Sequence, residues 1–428
     1  MKTLKVGMLG CGTVGSQVAR LMVANKADLT SRAGAELELV KVAVRDTSVK
    51  REGISSNLIT EDAQSVVNDP SIDLIIEVMG GISPAKELIL TALKNGKSVV
   101  TANKALLASH GADLFTAADN KGVDLYYEAA VAGAIPIIRP MRESLVGDQI
   151  TRVMGIVNGT TNYILTKMDE EGRAFDEVLE EAQSLGYAEA DPTADIEGFD
   201  AASKAAIIAG LAFHSRVSVD DVHREGISSI TADDVAVAKT MNHVIKLLAI
   251  AELTPDNRIS VRVHPALIAR SHPLAAVRDA FNAVFVEAKS AGQLMFYGRG
   301  AGGAPTASAV LGDVVAVARH RVSQSVGPRE SDYADRAIAP IGDTKTQFLI
   351  RLNVADKPGV LAAIAQVFAA EGVSIQTVRQ SGRGNDAELI VVSHGATESA
   401  LSATVKALSN MDIVTKVESV LRVQGSQS

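Results

Sequence analysis

A short stretch in the middle of the chain gathers five carboxylates and then a lysine. The carboxylates are Glu189, Asp191, Asp195, Glu197 and Asp200, and Lys204 follows in an alanine-rich segment. Because Asp200 and Lys204 are four residues apart, they share one face of a helix, with Asp200 near the N-terminus, where the dipole favours an anion. A lysine in such apolar surroundings either extends towards water or is held in a pocket. The alternative interpretation is an acidic surface loop followed by an exposed ion pair.

A second lysine lies where a parallel sheet would bind a ligand. Residues 97–101 form a short run typical of a buried strand, and Lys104 follows closely. In open α/β sheets, ligands bind at the carboxyl ends of the strands. The helix dipole disfavours a lysine in the first turn of the next helix, so this placement indicates a contact with nicotinamide or substrate. A helix-start lysine that faces water is the alternative.

The chain begins with a glycine pattern that is typical of dinucleotide binding. Residues 4–9 predict a buried strand, the loop GCGTVG follows, and an apolar-periodic helix comes next. The first glycine permits a tight turn, the second lets a pyrophosphate approach the backbone, and the third lets helix and strand pack closely. The predicted cofactor contacts of this loop are Gly10, Gly12, Thr13, Val14 and Gly15. A purely structural glycine turn is the alternative.

The end of the second predicted strand bears on the choice between NAD and NADP. Residues 37–44 are followed by Arg45 and Asp46. An acidic side chain there would bind a ribose hydroxyl, whereas an arginine would bind the 2′-phosphate of NADP. Since both are present, the choice stays open. We favour NADP because Arg45 comes first.

The composition excludes several classes of function. The 428 residues carry a net charge of −8, which argues against nucleic acid or an anionic membrane as the main partner. Cys11 is the only cysteine and lies inside the glycine loop, which disfavours disulfides, a cysteine-based metal site and thiol catalysis. The histidines show no metal-ligand spacing, and no apolar run has the length of a membrane span. We expect a cytoplasmic protein whose N-terminus enters a strand instead of forming a signal peptide.

The order of predicted elements indicates more than one domain. Strands and helices alternate in the first third, which indicates an α/β fold with a Rossmann-type dinucleotide-binding domain. A turn of small residues near 129–136 then brings backbone carbonyls together, either for tight packing or to bind a hard cation. A glycine-rich turn at 298–303 leads into a helix predicted over 306–319. After a polar stretch, the C-terminal part follows a βαββαβ order, which is ferredoxin-like.

Six motifs together resemble homoserine dehydrogenase of the bacterial, monofunctional type. They are GCGTVG, TANKALLA, YYEAAVAGAIPII, NGTTNYIL, LGYAEADPTADIEGFDAASKAAIIA and YGRGAGGAPTASAVLGD. The acidic segment with Lys204 is the most specific of them. The C-terminal part, with DKPGVL at its first strand–helix turn, resembles an ACT domain. The resemblance implies an oxidoreductase that converts L-homoserine to L-aspartate 4-semialdehyde with NAD(P), or runs the reduction, in threonine and methionine biosynthesis.

The resemblance also implies roles for individual residues. Lys204 would be the general acid/base, and Asp200 would orient it and bind substrate. Glu189 would receive the substrate ammonium, and Lys104 would contact both the nicotinamide and the reacting hydroxyl. Such roles agree with the chemistry, because a zwitterionic substrate needs an anion for its ammonium and hydride transfer needs a proton source at the carbonyl oxygen.

Cofactor and cation contacts follow from the same resemblance. Gly186 and Gly302 would line the cofactor. The implied sodium ligands, largely through backbone oxygens, are Glu128, Val131, Gly133 and Ile135.

The resemblance divides the chain into four parts. These are a Rossmann domain (1–133, with a return segment near 300–320), an α+β substrate-binding and dimerisation domain (134–320), a linker (321–346) and an ACT regulatory domain (347–425). ACT domains pair edge to edge and bind amino acids, so threonine is the expected effector and a homodimer or homotetramer the expected assembly. A domain that only dimerises is the alternative.

Two other functions were compatible with the motifs. One is another Rossmann-fold reductase of a small carbonyl or imine metabolite, such as a dihydrodipicolinate-type reductase. The other is a non-catalytic amino-acid or redox sensor, which should have lost its chemical groups. The retained Lys104, Glu189, Asp200 and Lys204 argue against the sensor.

Overall fold

The structure is a computed structural model that describes residues 2–51, 53–382 and 387–424. The first third contains β1 (Thr3–Leu9), α1 (Thr13–Ala24), α2 (Lys26–Ala33), β2 (Glu36–Ala43), β3 (Ile59–Thr60), α3 (Ala63–Val67), β4 (Leu74–Glu77), α4 (Ala85–Lys94), β5 (Ser98–Thr101), α5 (Lys104–Lys121) and β6 (Leu125–Tyr126). The middle contains β7 (Ile150–Ile156), α6 (Gly159–Glu171), α7 (Phe175–Ser184), α8 (Thr193–Ile196), α9 (Phe199–Phe213), β8 (His223–Arg224), α10 (Ala232–Thr240), β9 (His243–Leu253), β10 (Ile259–Ala269), β11 (Phe281–Ala288), β12 (Gly292–Arg299) and α11 (Gly303–Ser323). The last part contains β13 (Lys345–Val354), α12 (Val360–Ala370), β14 (Ile375–Ser381), β15 (Glu388–Ser393), β16 (Ala396–Thr397), α13 (Glu398–Ser409) and β17 (Val414–Gln424). No helix within the described ranges has both the length and the apolar character to cross a bilayer.

The chain divides into two compact units, each assembled from three separate segments. Unit 1 comprises Met1–Gly159, Asp200–Val222 and Ala280–Arg336. Unit 2 comprises Thr160–Phe199, His223–Asp279 and Ala337–Ser428. The division into four domains stays a prediction. The two units are groups of residues that are in contact in the folded chain, and they do not correspond one to one with those domains.

A six-stranded parallel sheet in unit 1 confirms the predicted Rossmann-type domain. Its strands follow the order β3-β2-β1-β4-β5-β6, and every neighbouring pair is parallel. The order reverses between β1 and β4, and in such sheets a ligand binds at this switch point, beyond the carboxyl ends of the strands. The glycine loop after β1 therefore lies where a dinucleotide is expected.

The core of this sheet is completed by a helix from much later in the chain. Val310, Val314 and Val317 of α11 are fully buried in the same cluster as Val18 and Met22 of α1. The helix predicted over 306–319 is longer than expected, because it begins at Gly303 and ends at Ser323. Unit 1 also contains an antiparallel arrangement in which β11 pairs with both β7 and β12.

Unit 2 contains the predicted βαββαβ domain, whose elements run β13, α12, β14, β15, α13 and β17, with the two-residue β16 before α13. Its own core includes Phe348, Ile364 and Leu401. The last strand extends beyond this domain, because β17 pairs in parallel with β10 as well as antiparallel with β13. The C-terminal domain therefore shares a sheet with the middle of the chain.

Candidate active site

Lys204 is held in a buried pocket of unit 1 and does not extend into water. It lies one turn after Asp200 on α9, and both residues are 8% exposed. Its Nζ is 2.6 Å from Asp200 Oδ2 and donates to the Val157 carbonyl, also at 2.6 Å. Of the two interpretations of the segment, the structure therefore supports a held lysine over an exposed ion pair.

Lys104 reaches the same carboxylate from the other side. It is the first residue of α5, which is capped by the Asn103 side chain accepting from the Leu106 N–H. Lys104 Nζ lies 2.9 Å from Asp200 Oδ1. Its side chain is 43% exposed, so this lysine remains accessible to a ligand. Asp200 thus bridges a buried lysine and an accessible one.

The electrostatics of Asp200 explain why it stays ionised in a buried position. Burial by itself would raise the pKa of the carboxyl, but Lys204 and Lys104 outweigh it and hold that pKa well below its ordinary value. Asn158 adds a hydrogen bond, with Nδ2 donating to Asp200 Oδ2 at 2.9 Å. Two lysines and one carboxylate give a net positive charge, which stabilises an alkoxide that forms beside Lys204.

The glycine loop has the shape that a pyrophosphate requires. Gly10 has φ of +93°, and a side chain at Gly15 would meet the Gly10 carbonyl oxygen at 2.5 Å. A Cβ at Gly12, by contrast, has no atom within 4 Å. The first and third glycines therefore serve the turn and the packing, while the second leaves open space beside the N-terminus of α1, where N–H groups bind anions.

A second glycine turn lies against the first. A Cβ on Gly303 would meet the Thr13 carbonyl oxygen at 2.8 Å, and the preceding Gly302 has φ of +115°. The start of α11 is therefore packed on the start of α1. This supports the prediction that Gly302 lines the cofactor.

Arg51, which was not among the predicted cofactor contacts, lies in the segment that follows β2. Asp46 Oδ1 accepts from the N–H and the hydroxyl of Ser48, at 2.8 and 2.6 Å, so its carboxylate is engaged in a turn. Arg45 is exposed. Arg51 donates from Nε to the Cys11 carbonyl at 3.3 Å and from Nη1 to the Asp46 carbonyl at 3.0 Å. No spacing pattern predicts this contact of Arg51, because the residue reaches the glycine loop from an irregular segment.

The small-residue turn suits a cation bound by backbone oxygens. The Glu128 carboxylate accepts from the N–H groups of Ile137 and Ile138, at 2.6 and 2.8 Å, so this residue has only its carbonyl to offer. Gly133 has φ of +57°, and a Cβ there would meet the Gly300 carbonyl oxygen at 2.4 Å. The turn is thus a narrow cradle of backbone that a side chain would fill.

Asn282 is a buried polar residue beside this cradle that sequence reasoning missed. It is 1% exposed, and neither its Nδ2 nor its Oδ1 has a hydrogen-bond partner within the described ranges. A Cβ on Gly300 would meet its Nδ2 at 2.0 Å, so the amide packs directly against the Gly300 backbone. A bound ion or water is a common explanation for a buried amide side chain that has no hydrogen-bond partner. Only the tertiary fold places Asn282 beside the turn.

Two of the predicted site residues, Glu189 and Gly186, belong to unit 2. Both are exposed, and Gly186 has φ of +75° in the turn that follows α7. The remaining carboxylates of the acidic segment have local partners: Asp191 accepts from the Thr193 N–H, Asp195 from the Thr160 hydroxyl and Glu197 from the Ser228 hydroxyl. Glu189 and Asp191 are both exposed, but only the Glu189 carboxylate has no partner among the described residues, so it is the one best suited to a ligand.

The C-terminal domain has a cavity of about 310 Å³ at its first strand–helix turn. Residues 354–361 line it together with Gln380 and Leu389. Gly359 has φ of +91° at the start of α12, and Leu361 is 46% exposed. The DKPGVL turn therefore borders a space of amino-acid size.

Comparisons with known proteins agree with this geometry. A family model for homoserine dehydrogenase matches residues 136–315, the model of its NAD-binding domain matches 10–128, and an ACT-domain model matches 348–412. A homoserine dehydrogenase of Corynebacterium glutamicum is 54% identical over 98% of this chain and 95% of its own. The crystal structure of one from Thiobacillus denitrificans superimposes with a TM-score of 0.95 at 41% identity, covering 99% of both chains. A hyperthermophilic archaeal homoserine dehydrogenase in complex with NADPH gives a TM-score of 0.64 at 27% identity, covering 77% of this chain and 99% of its own.

Proposed function

The chain belongs to the homoserine dehydrogenase family, and on this premise we propose which of its residues carry out the reaction. It interconverts L-homoserine and L-aspartate 4-semialdehyde with a nicotinamide cofactor. The observation that carries the proposal is the chain of contacts from the accessible Lys104 through the buried Asp200 to the buried Lys204, at 2.9 and 2.6 Å. Spectrophotometric assay of homoserine oxidation with NAD and with NADP tests the activity, and no homoserine-dependent cofactor reduction with either would contradict it.

Lys204 is the proposed general acid/base. The cofactor, when bound, supplies the hydride acceptor or donor. In the oxidation, the neutral amine form of Lys204 takes the proton of the substrate hydroxyl as the carbonyl forms, and in the reduction the ammonium form returns this proton to the oxygen. Asp200 and the Val157 carbonyl fix the position of Nζ, so the proton is transferred at a defined place. Lys104 adds positive charge beside the same oxygen.

Substrate recognition is proposed to use the charged residues Glu189, Lys104 and Asp200. Glu189 receives the substrate ammonium, because an exposed carboxylate is the natural partner of a cationic amine. Lys104 and Asp200 contact the reacting end.

NADP is the proposed cofactor. Arg45 is exposed at the strand end where a 2′-phosphate would lie, while Asp46 is engaged by Ser48. We expect Arg45→Ala to raise KM for NADP about tenfold, the loss of one charge-assisted hydrogen bond, and to change KM for NAD by less than about twofold. Initial rates with both cofactors measure this. Lys50→Ala, an exposed neighbour, is the control, and equal effects of Arg45→Ala on both cofactors would contradict the assignment.

A structural Na⁺ is proposed at the small-residue turn, held mainly by the backbone oxygens of Glu128, Val131, Gly133 and Ile135. Replacing NaCl by choline chloride at constant ionic strength should lower Tm by a few degrees, because an ion at about 100 times its Kd contributes roughly 2.7 kcal/mol. Gly133→Ala should abolish this sodium response, since its Cβ would fill the cradle.

The matched control for the cation is Gly147→Ala, because a Cβ at Gly147 has no atom within 4 Å. This variant should keep the full sodium response. A wild-type Tm that is the same in both salts would exclude the cation site, whatever the variants do.

Threonine is the proposed effector, bound at the cavity of the C-terminal domain. Truncation is a poor test, because it would remove β17 from its pairing with β10. In the full chain, Leu361→Arg should raise the threonine concentration for half-inhibition more than about tenfold, since the longer side chain would occupy the cavity that Leu361 lines. Ala362→Arg, exposed on the same helix and outside the cavity, should leave it unchanged.

Absence of threonine inhibition in the wild type would favour the alternative, a domain that only dimerises.

Assembly as a homodimer or homotetramer and a cytoplasmic location remain predictions made from the sequence.

A further inference from the structure

A cavity of about 220 Å³ lies in unit 1 behind the proposed catalytic groups. One wall is the middle of α5, with lining residues between 107 and 115, and another is the middle of α9, between 206 and 211. α5 begins at Lys104, and α9 carries Asp200 and Lys204 in its first turns. None of these three residues lines the cavity. The cavity is therefore lined by the two helices that position Lys104, Asp200 and Lys204, but these three residues do not line it.

Tyr127 is a buried polar group of this cavity that has no polar partner. It is 3% exposed and lines the space, and its hydroxyl makes no hydrogen bond to any residue that the structure describes. Burial raises the pKa of Tyr127, so its hydroxyl is a proton donor near neutral pH. The Tyr127 hydroxyl is open to the cavity, so a hydrogen-bond acceptor bound there can accept from it.

The rim of the cavity carries as many positive as negative side chains, but they are unevenly paired. It carries Arg142, Arg216 and Arg329 together with Asp221, Glu330 and Asp332. Arg216 pairs with Glu330 and Asp332, at 2.8 and 3.2 Å, and Asp221 accepts from the Ser218 hydroxyl. Arg142 stacks over the Tyr127 ring at 5.6 Å and donates to the Pro328 carbonyl. Within the described ranges neither Arg142 nor Arg329 forms an ion pair, so two guanidinium groups are left for an anion.

An irregular segment, residues 326–336, also contributes lining residues and is held against the two residues that follow α9. Ser331 Oγ lies 2.7 Å from His214 Nδ1, and the Arg336 N–H donates to Ser215 Oγ at 2.9 Å. α5 itself departs from helical geometry at His110, with φ of −136°, between two lining residues. The space is therefore bounded by fixed backbone on several sides.

We propose that this cavity binds a small carboxylate with an apolar body. The body would lie between α5 and α9, where Leu107, Phe115 and Ile207 are lining residues, and the carboxylate would bind Arg142 and Arg329. The Tyr127 hydroxyl would donate to the same ligand. The volume is below the roughly 300–1,000 Å³ of drug-sized sites, which indicates a ligand of amino-acid size or smaller. This proposal is independent of the roles proposed for Lys104, Asp200 and Lys204.

Fluorine NMR of 4-fluorophenylacetate with the full chain tests the site. We expect saturable binding below about 10 mM, and weaker binding, by about tenfold or more, of the neutral 4-fluorophenylacetamide, because it lacks the charge that the arginines recognise. Tyr127→Phe should weaken the carboxylate about fivefold, the effect of one hydrogen bond.

Variants of α5 locate the probe. Ala112→Phe would fill the cavity and should abolish binding, whereas Thr116→Phe, on the exposed face of the same helix, should not change it. Circular dichroism and homoserine oxidation show whether each variant is folded.

Three results would overturn the proposal. They are no saturable binding to the wild type, unchanged binding to folded Ala112→Phe, and complete competitive displacement of the probe by homoserine, which would place it in the active site instead. Equal affinity for the carboxylate and the amide would overturn the assignment of ligand class.

Discussion

Replacing Lys204 by methionine is expected to lower kcat for homoserine oxidation about a thousandfold, within the range that general acid–base catalysis contributes. Methionine has a similar length and is apolar, so the packing of α9 is retained while the proton acceptor is lost. Asp200 keeps Lys104 as a partner at 2.9 Å and is not left as an unpaired buried charge. Steady-state kinetics with saturating cofactor measure the effect, and KM for the cofactor should change little.

The control for this variant is another buried lysine of unit 1. Lys97 is 3% exposed and donates to the carbonyls of Asp69 and Ile72, at 2.5 and 2.7 Å. Lys97→Met should lower stability and leave kcat within about threefold, because its ammonium is remote from the reacting groups. If folded Lys204→Met retains turnover within about tenfold of wild type, Lys204 is not the general acid/base.

The second large effect is expected at Arg422, in stability. This residue of β17 is 8% exposed and binds two carboxylates, with 2.6 Å from Nη1 to Glu225 Oε2 and 2.6 Å from Nε to Glu398 Oε1. Glu225 follows β8 and Glu398 begins α13. Removing one partner of a buried ionic group costs about 3–5 kcal/mol, because the remaining charges are unpaired. Arg422→Met should lower the free energy of unfolding by this amount in urea denaturation.

The pH dependence of this loss has a definite sign. Burial by itself would raise the pKa of Glu225, but His223 and Arg422 outweigh it and hold that pKa well below its ordinary value. In the wild type, the stabilisation from Glu225 is therefore present above its unfolded pKa of about 4.3 and is lost as pH falls through the folded value. The difference between variant and wild type should therefore stay nearly constant between about pH 7 and pH 5 and shrink as pH falls below about 4.3.

An exposed arginine is the control for Arg422. Arg258 pairs with Asp256 and Asp343, at 2.6 and 2.9 Å, and its side chain is 31% exposed. Arg258→Met should cost less than about 1 kcal/mol. Equal losses for the two variants, or a loss at Arg422 that does not depend on pH, would show that its ion pairs with Glu225 and Glu398 are not the cause.

Contacts that depend on short sequence spacing were predictable, and contacts between distant segments were not. The glycine loop and the Asp200–Lys204 pair could be predicted because a strand–loop–helix pattern and a four-residue spacing each have one local geometry. The Val157 carbonyl that holds Lys204 could not, since any backbone group is a possible acceptor until the fold selects one. The pairing of Arg422 with Glu225, 197 residues apart, is equally invisible in the sequence.

The late position of α11 in the chain has a consequence for biosynthesis. The parallel sheet of unit 1 is encoded before residue 127, yet part of its core is supplied by Val310, Val314 and Val317. During translation at about 5–20 residues per second, the apolar face that α11 covers must wait roughly ten to forty seconds before its partner is synthesised. Because such contacts close long loops, folding should be slow, and the nascent sheet should be a substrate for chaperones until residues 303–323 emerge.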